Sequence, residues 1–329
     1  MGAMLRWREV RLVGLTLLAA VALVLFCFNS PSGAATIAAI PQTSGSDATL
    51  MGIYFLNAKS GWAVGSGGVI VRTTDGGKHW KATSSMTKVQ LSGVFFADAV
   101  HGWAVGANGT LLHSMDGGGK WEPQASGTQS PLYSVFFLSP ALGWAVGGAG
   151  TILQTEDGGR HWVDQTSGTN ATLYAVQFLD QRNGKAVGAL GTILSTEDGG
   201  RTWAAQETQS SATFFDVFFA DPLNGWVVGN AGAMFQTLNG GAQWVDRSLP
   251  CAGSCSRLTD LLRVRFTDGK AGWVVGERGT IFRTTDAGFN WVLQEHPTKT
   301  SLFGLSFPAA GQGWAVGERG TILQITADR

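Results

Sequence analysis

The residues of this chain best suited to chemistry recur at one spacing. A Ser or Thr, an Asp or Asn two residues later and a Trp five residues further on appear six times. The copies are Thr73/Asp75/Trp80, Ser114/Asp116/Trp121, Thr155/Asp157/Trp162, Thr196/Asp198/Trp203, Thr237/Asn239/Trp244 and Thr284/Asp286/Trp291. Five carboxylates so placed could serve as metal ligands or as acid–base groups. The neighbouring residues argue for a turn instead. Gly158 and Gly159 follow Asp157, and a tight hairpin needs the positive φ that Gly supplies without steric cost. The carboxylate can then accept hydrogen bonds from the turn's own N–H groups. Asn239 could make the same turn but is a poor general acid. Asp75, Asp116, Asp157, Asp198, Asn239 and Asp286 are therefore read as structural, and no catalytic residue, metal site or cofactor is assigned. There is no His-Glu-x-x-His, Walker loop or nucleophile elbow, and His79, His101, His113, His161 and His296 are scattered.

These turns belong to a longer repeat. Gly-Trp-Ala-Val-Gly or a near copy begins at Gly61, Gly102, Gly143, Gly184, Gly225, Gly272 and Gly313, with steps of 41, 41, 41, 41, 47 and 41 residues. Each of the first six copies offers four short β-rich runs separated by Gly-rich turns. In the third copy strand a is Leu132-x-x-Val135-x-Phe137 and strand b is Trp144-Ala145-Val146. Strand c is Thr151–Thr155, and strand d starts at Trp162. A helical repeat would instead show apolar residues at i, i+3, i+4. A period of about 40–45 residues with four strands per unit is that of a propeller blade, so the expected fold is an all-β, seven-bladed β-propeller. Alternation puts Trp144 and Val146 on one face of strand b and Ala145 on the other, where a neighbouring blade can approach closely.

The seventh copy lacks strand d: after Gly320-Thr-Ile-Leu-Gln the sequence departs from the repeat. Gln42–Leu50 aligns without a gap to Gln165–Leu173, which continues from a strand d. Residues 37–43 are thus expected to complete blade seven beside residues 321–325, leaving only short, protected edges. Strand a of each copy also carries a variable column, Met51, Ser92, Tyr133, Tyr174, Phe215 and Leu262, read as packing.

Composition narrows the function. The 23 basic residues balance 23 acidic ones, so no basic footprint points to nucleic acid. Of 13 Trp residues all but Trp7 fall in repeat slots, which makes them core. Residues 1–35 form a separate segment ahead of a propeller at 36–329. Arg6, Arg8 and Arg11 precede Leu12–Phe28, which carries no charge, and small residues follow at Ser32, Ala34 and Ala35. This is a signal peptide or a membrane anchor, and the lengths leave both open. Either way the propeller is exported, to a periplasm or a thylakoid lumen, and the N-terminal segment contacts membrane. The protein is expected to be monomeric.

Departures from the repeat cluster at blades six and seven. Their b–c loops read Glu277-Arg278 and Glu318-Arg319, and strand a of blade six carries Arg263 and Arg265. Six extra residues precede blade six and include Cys251 and Cys255, a local disulfide in an exported chain. In an antiparallel meander the b–c loops and d–a connections share one rim, and the a–b loops and Asp turns share the other. Glu277, Arg278, Glu318 and Arg319 therefore fall on one rim with the insertion. With Arg263 and Arg265 they are the candidate partner-binding residues.

The repeated Gly-Trp-Ala-Val-Gly-x-x-Gly-Thr-Ile-Leu-x-Thr-x-Asp-Gly-Gly-x-x-Trp, behind an export segment, resembles the photosystem II stability/assembly factor family, part of the wider Asp-box (BNR-type) propellers. The resemblance covers about residues 37–329. It implies a seven-bladed, non-enzymatic, lumenal or periplasmic factor that binds nascent reaction-centre subunits. Asp turns also occur in sialidases and other glycoside hydrolases, so a carbohydrate-active propeller is the alternative. A sialidase would need an arginine cluster and a tyrosine nucleophile at the ring centre, and the chain has three Tyr residues.

Overall fold

A computed structural model describes residues 37–249, 259–296 and 298–327. The N-terminal segment and the Cys251–Cys255 loop lie outside the described residues. The described chain forms seven four-stranded antiparallel sheets, one per repeat, arranged as a seven-bladed β-propeller. Blade three shows the plan: strand a Leu132–Phe137, b Gly143–Gly147, c Ile152–Thr155 and d Val163–Asp164.

Strand a carries a register shift that the expected alternation did not include. Leu132 pairs with Gly147 but Ser134 with Val146, so Tyr133 is extruded as a bulge. The spacing Leu-x-x-Val-x-Phe holds the signal for it. Residues at i, i+3 and i+5 can share one face only if one residue is extra. The same shift recurs at Leu50/Gly52, Leu91/Gly93, Leu173/Ala175, Phe214/Asp216, Leu261/Arg263 and Leu302/Gly304.

The core lies between blades. Trp103 and Val105 of blade two pack with Leu132, Val135, Phe137, Ala145 and Leu153 of blade three. Ala145 is the small residue that admits the facing Trp, as alternation predicts. Ile152 and Leu153 are adjacent in strand c and both buried, because one faces blade four and the other blade two. Trp103 stacks on Phe137 with ring centroids 3.5 Å apart. Its indole N–H donates to the Gly158 carbonyl, 3.2 Å away, in the Asp turn of blade three. Trp62 and Trp144 repeat this bond to Gly117 and Gly199 at 3.0 and 3.2 Å. These three seams are thus closed by aromatic stacking and by a hydrogen bond that caps the neighbour's turn, while Trp226 and Trp314 stack on Phe266 and Phe55 without that bond.

The ring closes as the alignment requires. Ile37–Thr43 is the outer strand of blade seven and pairs antiparallel with Thr321–Ala327. Where other blades make the Asp turn, strand c of blade seven runs on to Ala327 and meets Ile37.

Candidate partner-binding surface

The Asp turns hold themselves together. In blade three the Thr155 hydroxyl donates to Asp157 at 3.0 Å and accepts from the Gly159 N–H at 2.8 Å. Asp157 accepts from the His161 backbone N–H at 2.9 Å and meets its ring Nδ1 at 2.6 Å. Asn239 accepts the equivalent bond from the Gln243 N–H at 2.9 Å. The hydrogen bonds from His161 to Asp157, from His79 to Asp75 and from Thr202 to Asp198 lower each of these carboxyls to about 2. Their lone pairs are spent within the turn. Among the described residues no group of three or more His, Cys, Asp or Glu is placed to hold a metal ion.

Hydrogen bonds assign the two rims. The Gly76 and Gly158 N–H groups in Asp turns donate to Lys59 and Ala141 in a–b loops, both at 2.9 Å. The Glu277 and Glu318 N–H groups in b–c loops donate to Asp260 and Ser301 in d–a connections, at 3.0 and 3.2 Å. Glu277, Arg278, Glu318 and Arg319 therefore share one rim. Arg278 and Arg319 take the left-handed conformation, with φ of 55° and 54°, and are exposed. Asn108, Ala149 and Ala231 hold the same backbone in other blades, so the loop geometry belongs to the repeat and the arginines are its variable outward point. A depression of about 570 Å³ beside Arg278 is also lined by Glu295, His296 and Lys299, which the repeat pattern did not single out. Burial pushes the His296 imidazole down from its ordinary value, favouring the neutral ring.

Arg263 and Arg265 lie elsewhere. Strand a is innermost, and both side chains enter the axial channel, a cavity of about 430 Å³. Arg265 pairs with Asp216 of blade five at 2.5 Å, and Asp216, only 4% exposed, also accepts from the Val264 N–H at 2.9 Å. Arg265 is thus part of an interblade clamp. Arg263 donates to the Leu262 and Phe215 carbonyls at 2.7 and 3.4 Å, and burial pushes its guanidinium down from its ordinary value. It also reaches the channel mouth on the b–c rim, a second space of about 180 Å³ lined by Met51, Tyr133, Tyr174, Phe215 and Phe303. The variable column read as packing is therefore the wall of this mouth: the bulge turns it toward the axis. Tyr133 and Tyr174 meet there with centroids 5.1 Å apart. Burial and the neighbouring Tyr133 push the Tyr174 hydroxyl up from its ordinary value, and burial pushes Tyr54 up to about 12. Among the described residues lining both spaces, Asp216 is the one carboxylate.

Fold and site together define a seven-bladed Asp-box propeller whose variable chemistry is concentrated at a few loops and around the axis. The family model of the photosynthesis system II assembly factor YCF48 matches residues 41–123, 85–165, 202–294 and 255–326, and the chain belongs to that family. A solved structure of YCF48 bound to a D1 peptide is similar with TM-score 0.72 at 19% identity, over 88% of this chain and 95% of that one. YCF48 from Cyanidioschyzon merolae gives TM-score 0.70 at 21% identity, over 89% of this chain and 99% of that one. The GH74 xyloglucanase from Xanthomonas campestris gives TM-score 0.71 at 12% identity, over 88% of this chain and 53% of the enzyme. At these identities each likeness concerns the fold alone. No curated protein sequence matches the chain.

Proposed function

We propose that this protein is an exported, non-catalytic scaffold that binds a membrane-protein subunit during assembly, through the rim that carries its b–c loops. In a phototroph that subunit is a photosystem reaction-centre polypeptide. Membership of the assembly-factor family supports the class of function. The observation that carries the site is the grouping of Glu277-Arg278 and Glu318-Arg319 on one rim, with Arg263 at the mouth in its centre. Arg suits such a surface because its planar fork pairs with carboxylates and carbonyls at little cost in rotamer freedom per bond.

Channel chemistry favours this reading over a glycoside hydrolase. Most glycosidases need two carboxylates flanking the scissile bond. Here the lining offers Asp216, which is engaged by Arg265 and by a backbone N–H. A tyrosine nucleophile needs a depressed pKa, whereas Tyr54 and Tyr174 are raised.

Charge reversal tests the site. Arg278→Glu with Arg319→Glu should lower partner capture from solubilised membranes by roughly tenfold, in the range of buried arginine anchors. The thermal transition should be unchanged, because exposed loop residues contribute little to stability. Undiminished capture by the folded double variant overturns the site, and glycosidase turnover dependent on Asp216 overturns the function.

A further inference from the structure

The opposite rim carries a second set of departures. In the Asp turns, the third residue after the Asp is Lys78, Arg160 and Arg201 in blades one, three and four. Blade six has Phe289 there, 57% exposed, and the turn of blade five exposes Leu238 at 53%. The residue that follows the turn's Trp and opens the outer strand is Lys81 in blade one, Glu122 in blade two, Val163 in blade three, 60% exposed, and Ala204 in blade four. It is Val245 and Val292 in blades five and six, and Ile40 holds the equivalent register in blade seven; all three are about half exposed, and Leu293 follows Val292 at 58%. The Arg247 guanidinium of blade five lies 5.1 Å from the centroid of the Phe289 ring, so the two blades present one surface. Blades two and three expose one apolar residue each in these columns, Met115 and Val163, which needs no explanation, whereas blades five and six expose at least two each and blade seven continues the run, which does.

The chain enters the propeller at that place. Ile37 pairs with Ala327, at the end of blade seven where other blades make the Asp turn. Only residues 29–36 separate it from Leu12–Phe28, which carries no charge. An extended chain spans at most about 3.5 Å per residue, so this link reaches no more than about 28 Å. A bilayer that holds the uncharged run would lie within that distance of the Asp-turn rim at blade seven.

We propose that the outer edge of blades five to seven on the Asp-turn rim contacts the lipid bilayer. Leu238, Phe289, Val292, Leu293 and Ile40 would enter the interfacial layer, and Arg247 would lie over Phe289 with its charge toward the headgroups. The surface shares no residue with the b–c rim, so it is independent of the partner site argued above.

The test uses the full chain in phosphatidylcholine vesicles, with a protease site engineered into residues 30–35 and cut after reconstitution. The released propeller should still float with the vesicles. Leu238→Asp, Phe289→Asp and Leu293→Asp together should lower the bound fraction of cut protein by about tenfold or more, since each carries apolar carbons out of the interface. Hydrogen exchange of the uncut wild-type chain gives a second readout should the triple variant not fold. Residues 238–246 and 286–293 should exchange more slowly on vesicles than in detergent. Release of the cut wild-type propeller as complete as that of the variant overturns the proposal, as does unchanged exchange. Retention on native membranes but not on protein-free vesicles assigns the surface to a protein and likewise overturns it.

Discussion

Lys185→Trp should stabilise this protein. Six blades carry Trp at the second position of strand b: Trp62, Trp103, Trp144, Trp226, Trp273 and Trp314. Trp144 shows what the slot provides. Its ring stacks on Phe178 at 3.5 Å and its N–H donates to the Gly199 carbonyl at 3.2 Å. Blade four has Lys185, 7% exposed, whose Nζ donates to the Ser195 hydroxyl at 2.6 Å. Across the seam Phe219 keeps its edge contact with Trp244 at 5.9 Å, but no Trp occupies the stacking slot above it. An indole in the slot would gain an aromatic pair of about 0.5–1.5 kcal/mol and a hydrogen bond of about 0.5–1.5 kcal/mol. It would also add apolar burial and end the desolvation of an ammonium. Overpacking would offset about 1–3 kcal/mol. Ser195 reduces that cost, being smaller than the Gln154 or Gln236 that faces Trp144 or Trp226. With about 2 kcal/mol from the added apolar burial the net is about +2 kcal/mol at pH 7, roughly 3 °C in the melting temperature of a domain this size.

The pH dependence separates charge from packing. Burial lowers the Lys185 pKa in the folded protein. Its penalty is then complete below the folded pKa and is relieved as pH rises from that value to the ordinary lysine value. The advantage of the Trp variant should therefore shrink in alkaline solution. Urea unfolding at pH 7 and pH 10 measures both effects. A folded Lys185→Trp variant no more stable than wild type at pH 7 would refute the reasoning.

Three further outcomes follow from the geometry. Arg265→Ala leaves the buried Asp216 without its ion pair and should cost about 3–5 kcal/mol, largely recovered in Arg265→Ala/Asp216→Ala; equal loss in single and double variants in urea titrations would show that the pair is not the clamp. The folded-state pKa of about 2 at Asp75, Asp157 and Asp198 lies below the unfolded carboxylate value, so their stabilisation is present above pH 4 and lost as pH falls toward 2. Changing all three to Asn, which serves at position 239, should flatten the acid limb of the melting curve, and an identical limb contradicts the turn assignment. Deleting residues 36–46 removes the outer strand of blade seven and exposes an unpaired edge, which should bring aggregation or loss of cooperative unfolding by circular dichroism; an unchanged transition would sink the closure.

What the sequence revealed depended on whether a feature repeats. The blade count, the Asp turn and the closing strand were legible because each is a column of near-identical residues, and the seventh copy visibly lacked its fourth strand. The bulge in strand a was encoded in the odd spacing of Leu132, Val135 and Phe137, which plain alternation overlooks. The channel was not legible. Asp216 and Arg265 belong to different columns of different blades, 49 residues apart, and only the lateral stagger of neighbouring inner strands brings them together. Arg263 and Arg265 stood out as departures, but no column said that one would clamp two blades and the other reach a mouth. The apolar edge of blades five to seven escaped for another reason: Val245 and Val292 read as ordinary strand residues until the outer strand is seen to face solvent.

The partition of these departures limits how a partner can bind. A stable protein interface needs about 800 Å² on each side. The mouth around Arg263, about 180 Å³, can take a side chain or a chain end but cannot supply that area. Area must come from the loops around it, where Arg278 and Arg319 point outward from a backbone fixed by bonds to the d–a connections. Those loops are held at both ends by strands whose side chains are buried, so they present their charges without a backbone ordering cost on binding. A repeat that spends its Trp, Gly and Asp residues on rigidity therefore leaves recognition to the few positions that vary. The rim of blades six and seven is where such positions stand close enough to act together.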